Sequence, residues 1–177
     1  FMVISPDEGA MNRNMYYASV LGVNLGMFYK RRDYFQVVNG RNPIVAHEYL
    51  GESVEGKDVF VADDIISSGE SMLDVAKELK KRKAKRVFVA ATFGLFTNGL
   101  KQFDEYYEQG LISKVLTTNV IYQTPDLLSR PYYINVDLSK YIALMIDKLN
   151  YDHSISELLD PNAKIQNSLA YYRKYHK

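Results

Sequence analysis

The sequence predicts an α/β fold, and three observations carry that reading. Val59-Phe60-Val61-Ala62 is a short, wholly apolar run of the kind that forms a strand buried on both faces. A helical pattern follows it, with Met72, Val75, Ala76 and Leu79 on one face. Val87 to Ala91 is then a second apolar run, so the unit reads strand, loop, helix, strand, with short connections.

The other elements follow in order. Phe1 to Ser5 reads as a buried strand and Pro6-Asp7-Glu8-Gly9 as a turn. A helix is expected from about Asn12 to Leu21, with Met15, Ala18 and Leu21 at helical spacing and Gly22 at its end. Leu25 to Tyr29 reads as a second strand. Lys30 to Asn42 is polar, basic and poor in core residues, which predicts a mobile loop. Ile44 to Tyr49 fits an antiparallel or edge strand. Basic residues Lys80 to Lys83 close the helix that begins near Met72, as its dipole favours. Thr97 to Gln109 is expected to be helical, ended by Gly110. Lys114 to Tyr122 is β-rich, Tyr133 to Val136 a short strand and Ser139 to Leu149 a helix. A tyrosine-rich helix is expected between Pro161 and Lys177. Residues 1–150 thus read as one domain, with 151–177 a helical extension of it.

Composition narrows the function. The chain has 177 residues, enough for about one domain that buries a real core. Lys and Arg total 22 against 21 Asp and Glu, so no global charge points to nucleic acid. The absence of Cys excludes disulfides, thiolate metal sites and a cysteine nucleophile, and suits the cytoplasm. No apolar run approaches the ~18–20 residues of a membrane span. Phe1-Met2-Val3-Ile4 is already strand-like, with no charged segment before it, so the chain is expected to be part of a longer protein. His47, His153 and His176 match no common metal spacing, which favours structural or surface roles. The Tyr pairs fit packing or subunit contacts.

The chemistry lies after Val59–Ala62. In open α/β sheets, ligands bind beyond the carboxyl ends of strands. Asp63 and Asp64 are placed there, and two adjacent carboxylates can accept hydrogen bonds from vicinal hydroxyls or hold Mg²⁺ through water. Ser67-Ser68-Gly69-Glu70-Ser71 then leads into a helix, whose first N–H groups and Ser hydroxyls make an anion site. A diol binder followed by a phosphate binder suits a pentose 5-phosphate. Ser67 and Glu70 also satisfy S-x-x-E, the capping box, which accounts for the same loop with no ligand. The residues alone fit either reading.

Val59 to Ser71, VFVADDIISSGES, resembles the ribose-phosphate loop of the phosphoribosyltransferase fold. Ile4-Ser5-Pro6-Asp7-Glu8-Gly9 resembles the Ser-Pro-Asp-x-Gly segment of ribose-phosphate pyrophosphokinases, and Lys30-Arg31-Arg32 stands where that family carries Lys-Arg-Arg. Thr118-Asn119 also fits. The resemblance runs from about Val3 to Leu149 and covers the carboxyl-terminal half of the family's protein. It implies a three-layer phosphoribosyltransferase-like fold, a mostly parallel central sheet with helices on both faces. It also implies synthesis of phosphoribosyl pyrophosphate from ribose 5-phosphate and ATP with Mg²⁺, in a homo-oligomer. By position, Asp63 and Asp64 match the acids that meet the ribose hydroxyls. Ser68, Gly69 and Ser71 match the 5-phosphate cradle. Asp7 matches an acid of the metal–nucleotide site, and Lys30 and Arg32 match the catalytic pair.

Two positions depart from the family pattern. Ser67 stands for the usual third Asp, and Glu70 for Gly or another small residue. They motivate an alternative, a non-catalytic regulatory or assembly module of the same fold. A phosphoribosyltransferase is a further alternative, although no nucleobase-binding hood is recognisable.

Overall fold

The structure is a computed structural model that describes residues 1–32 and 44–175, with residues 30–32 and 44–47 by backbone alone. Strands β1 (Met2–Ser5), β2 (Asn24–Arg32), β3 (Ile44–Leu50), β4 (Asp58–Ile66), β5 (Arg86–Gly94), β6 (Lys114–Thr118) and β7 (Tyr133–Val136) form one seven-stranded sheet. Its order is β3-β2-β1-β4-β5-β6-β7. Every neighbouring pair is parallel except β2 with the edge strand β3. The helices are α1 (Met11–Leu21), α2 (Glu70–Lys81), α3 (Lys101–Glu108), α4 (Pro125–Leu128), α5 (Ser139–Asn150), α6 (Ser156–Leu159) and α7 (Asn162–Tyr175).

Strand alternation divides the sheet into two faces. Val59, Val61, Val87, Val89 and Val115 are fully buried and join a core with Met72, Leu73, Val75, Ala76 and Leu79 of α2 and Phe103 of α3. Each large side chain so buried contributes about 1.5–3 kcal/mol. Phe60, out of phase with that set, meets Tyr17 of α1 on the opposite face, with ring centroids 6.2 Å apart. Helix α7 rests on α1, where Gln166 Nε2 donates to the Val20 carbonyl at 2.9 Å. Helices therefore cover both faces, as the sequence predicts. Among the described residues no helix is long and apolar enough to cross a membrane.

The differences from expectation have local causes. Met15 is exposed, whereas its neighbour Asn14 is fully buried. The Asn14 amide donates to the Ala62 carbonyl at 2.7 Å and the Ala10 carbonyl at 2.9 Å, so a polar side chain seats α1 on β4. Strand β2 continues through Lys30 and Arg32, whose backbones pair with His47 and Ile44 of β3. The expected loop is therefore strand over its first three residues, and its remainder lies outside the described residues. Strand β4 also runs past the acidic pair to Ile66, because ladder hydrogen bonds with β5 join backbones whatever the side chains: Asp63 pairs with Ala91 and Ile66 with Gly94. Helix α3 starts at Lys101 rather than Thr97, after a turn with positive φ at Phe96 and Gly99. Strand β6 ends at Thr118. Helices α4 and α6 are single turns too short to show periodicity. Thr124 caps α4, its Oγ1 accepting from the Leu127 N–H at 3.1 Å.

Candidate active site

From β1 the chain winds to one side of the sheet through α1 and β2, and from β4 to the other through α2 and β5. β1 and β4 are neighbours, so a crevice opens at their carboxyl ends where the strand order reverses. A cavity of about 150 Å³ lies there, lined by Asp7, Asp63, Ser67, Ser68, Gly69 and Ser71. The Asp7 turn and the segment from Asp63 to Ser71, more than fifty residues apart in the chain, thus line one cavity.

Asp7 follows β1 and faces the cavity from the turn into α1. Its Oδ1 accepts the Ala10 N–H at 3.1 Å, and the buried Ser5 hydroxyl donates to its carbonyl at 2.8 Å. Asp63 Oδ1 accepts the Asp64 N–H at 2.8 Å and Arg13 Nη1 at 3.1 Å. Arg13 Nη2 also stands 3.7 Å from Asp64 Oδ2. Burial pushes the Asp63 carboxyl above the usual aspartate range, and the nearby carboxylates of Asp64 and Asp7 add to that shift. Asp64 itself is exposed.

The loop between β4 and α2 is held from behind by the segment after β5. The Leu95 N–H donates to the Ile66 carbonyl at 2.8 Å, and the Thr97 N–H to the Ser67 carbonyl at 2.9 Å. Gly69 caps α2 with φ +92°, a left-handed conformation that favours glycine, and an ideal Cβ there would overlap the Phe103 ring. The capping box that Ser67 and Glu70 could form is absent: the helix starts at Glu70 itself, and no side chain caps it from Gly69. Ser68 Oγ accepts the Glu70 N–H at 3.4 Å. Glu70 does not line the cavity; its Oε1 lies 3.5 Å from Asn98 Nδ2.

Lys30 and Arg32 stand on the last residues of β2, beside β1 in the sheet. Their side chains lie outside the described residues, as do that of His47 and the whole of His176. Arg13 is the site residue that sequence reasoning missed. Its signal is slight: a cation in the first turn of a helix, where the dipole disfavours it, with no acid in that turn to offset it. A larger crevice of about 620 Å³, bordered by Phe60, Phe88, Leu116 and Tyr172, lies near Asp58 and Arg86 at the amino ends of β4 and β5. It is apolar and at the wrong end of the strands for ligand chemistry.

The phosphoribosyl transferase domain family model matches residues 1–130. The chain belongs to that family. Every expected site residue of this phosphoribosyl transferase domain lies within the matched stretch, which ends before β7. Among curated proteins, it is 37% identical over 123 residues to the ribose-phosphate pyrophosphokinase of Mycoplasma genitalium, covering 69% of this chain and 35% of that protein. Identity to the Thermococcus kodakarensis ribose-phosphate pyrophosphokinase is 34% over 130 residues, covering 72% and 44%. The Vibrio parahaemolyticus enzyme of that name is 28% identical over 160 residues, covering 90% and 48%. The chain therefore spans under half the length of these relatives. The crystal structure of phosphoribosylpyrophosphate synthetase from Mycobacterium smegmatis has the same fold, with a TM-score of 0.67, 24% identity, and 85% of this chain and 45% of that chain covered.

Proposed function

We propose that the chain is the ribose 5-phosphate-binding half of a ribose-phosphate pyrophosphokinase. The observation that carries this reading is the single cavity in which Asp7, Asp63 and the 67–71 loop meet. Its acidic end suits the vicinal hydroxyls of a pentose. Its other end, at the start of α2, suits the 5-phosphate, because the first N–H groups of a helix are unpaired donors.

In the proposed reaction the ribose 1-hydroxyl attacks the β-phosphorus of ATP. The new O–P bond forms as the bond to the α-phosphate oxygen breaks, AMP leaves, and the hydroxyl proton passes to solvent. Lys30 and Arg32 stabilise the charge spread over the transferring diphosphoryl group, Arg32 with a planar fork that matches phosphate oxygens. Among the described residues no cluster of three or more acids or His could hold a metal unaided. Mg²⁺ is commonly held by one or two carboxylates, waters and substrate phosphates, and Asp7 and Asp63 on one cavity wall fit that mode. When bound with ATP, Mg²⁺ supplies neutralisation of the phosphate charge. Residues that complete the ATP site belong to a further half of the enzyme or to a neighbouring copy, within a homo-oligomer.

Calorimetry with ribose 5-phosphate tests the binding half of the reading. Binding at or below millimolar ligand is expected, and folded protein that takes up none would refute it. A second reading, a non-catalytic module, is favoured by Ser67 and Glu70. It prevails if the intact protein binds ribose 5-phosphate and makes no phosphoribosyl pyrophosphate from it with Mg-ATP.

A further inference from the structure

We infer that Arg13 is the positioning residue of the sugar site: it holds Asp63 and Asp64 in the orientation that receives two adjacent hydroxyls, and so sets the preference for ribose over 2-deoxyribose. This rests on the ribose 5-phosphate reading above.

The geometry is a double grip between neighbouring residues. Arg13 reaches Asp63 and Asp64 across fifty residues of chain, at 3.1 Å and 3.7 Å. The next residue, Asn14, donates to the carbonyl of Ala62, the residue just before the acids. Two successive residues of α1 thus hold three successive residues of β4. Asn14 is fully buried and fixes the helix, so the guanidinium is presented from a rigid frame.

The donors converge on one side of the acidic pair. Asp63 Oδ1 takes both the Arg13 N–H and the Asp64 N–H. Among the described residues, no donor hydrogen-bonds to Asp63 Oδ2 or to either carboxylate oxygen of Asp64. Asp63 Oδ2 and Asp64 Oδ1 are the oxygens left for hydroxyls, since Asp64 Oδ2 faces Arg13 Nη2 at 3.7 Å. Without the guanidinium, the carboxylates of Asp63 and Asp64, with that of Asp7 nearby, would repel one another and splay. Lys offers a point charge in place of the fork and would hold only one acid at a time.

The test measures binding of ribose 5-phosphate, 2-deoxyribose 5-phosphate and inorganic phosphate to the chain and its variants. Wild type is expected to prefer ribose 5-phosphate over the 2-deoxy sugar by roughly tenfold or more, the scale of one hydrogen bond to a charged group. Arg13→Gln should bring the two sugars close to parity while leaving inorganic phosphate affinity within about twofold, as expected when the phosphate loop itself is untouched. Arg13→Lys should fall between. A wild type that binds neither sugar overturns the functional reading and this inference together. A wild type that binds ribose 5-phosphate, with Arg13→Gln keeping the full preference or binding the sugar more tightly, overturns the inference alone. If Arg13→Gln loses phosphate binding as well, Arg13→Lys decides: an undiminished preference in that variant overturns the inference, and a reduced one supports it.

Discussion

The Phe103 ring of α3 fills the space that a side chain at Gly69 would need. The contact joins the loop at the start of α2 to the buried core, since Phe103 also packs edge-on against Phe96 at 5.1 Å between centroids. Gly69→Ala would meet both the ring and the positive φ. The left-handed conformation costs about 1–2 kcal/mol for a residue with a Cβ. Overpacking adds about 1–3 kcal/mol. A lower urea midpoint and weaker phosphate binding are expected together. An unchanged midpoint would show that the loop is not braced by the core.

Glu70 is a carboxylate on the first residue of α2, at the mouth proposed for phosphate. The helix dipole favours it there when no ligand is present, but it repels a bound anion. Glu70→Ala should tighten inorganic phosphate by about two- to fivefold, the equivalent of ~0.3–1 kcal/mol of helix-end electrostatics. The gain should shrink at high salt. Equal or weaker phosphate binding by the variant would place the anion elsewhere.

Lys30 and Arg32 lie at the end of β2, the strand beside β1 in the sheet. Each change to Ala should lower formation of phosphoribosyl pyrophosphate by about 100-fold or more, as expected for loss of one transition-state donor. Ribose 5-phosphate affinity should change little. A loss of binding that matches the loss of rate would make these residues part of the sugar site instead.

Asp58 and Arg86 face each other in register at the starts of β4 and β5. Arg86 donates to both Asp58 oxygens, Nε at 2.9 Å and Nη2 at 2.6 Å, and this holds the carboxyl below its usual range. A lowered native pKa means that the folded chain binds fewer protons than the unfolded one as pH falls past the unfolded value. The stabilisation is therefore complete above about pH 4, the ordinary aspartate value, and is lost as pH drops through the lowered one. Denaturant titrations of wild type and Asp58→Asn should differ by up to about 1 kcal/mol at pH 7, in keeping with a surface pair. The difference should close in acid. A gap that persists at low pH would assign the effect to packing.

The strands at the centre of the sheet were legible because they are buried on both faces. Val59–Ala62 and Val87–Ala91 are apolar at every position, as are Phe1 to Ile4 ahead of them. Helix α2 was legible because one face meets the core and the other meets water. Lys30 to Arg32 misled because pairing with an edge strand requires only backbone groups, and their basic composition resembles a loop. The acids and the 67–71 loop were legible as candidates because chain order and the carboxyl ends of strands bring them near one another.

By itself, the sequence determined the α/β class, the central strands, and the segments from which a sugar-phosphate site could be built. The tertiary structure decided between capping box and open helix end, since Gly69 takes that end in a conformation that Phe103 protects. It also decided that Arg13 belongs with Asp63 and Asp64, and that Asn14 rather than Met15 faces inward. Local periodicity records how each segment divides its surface between core and water. It holds no record of where a helix crosses a strand fifty residues away, and that crossing is what brings a guanidinium to two carboxylates.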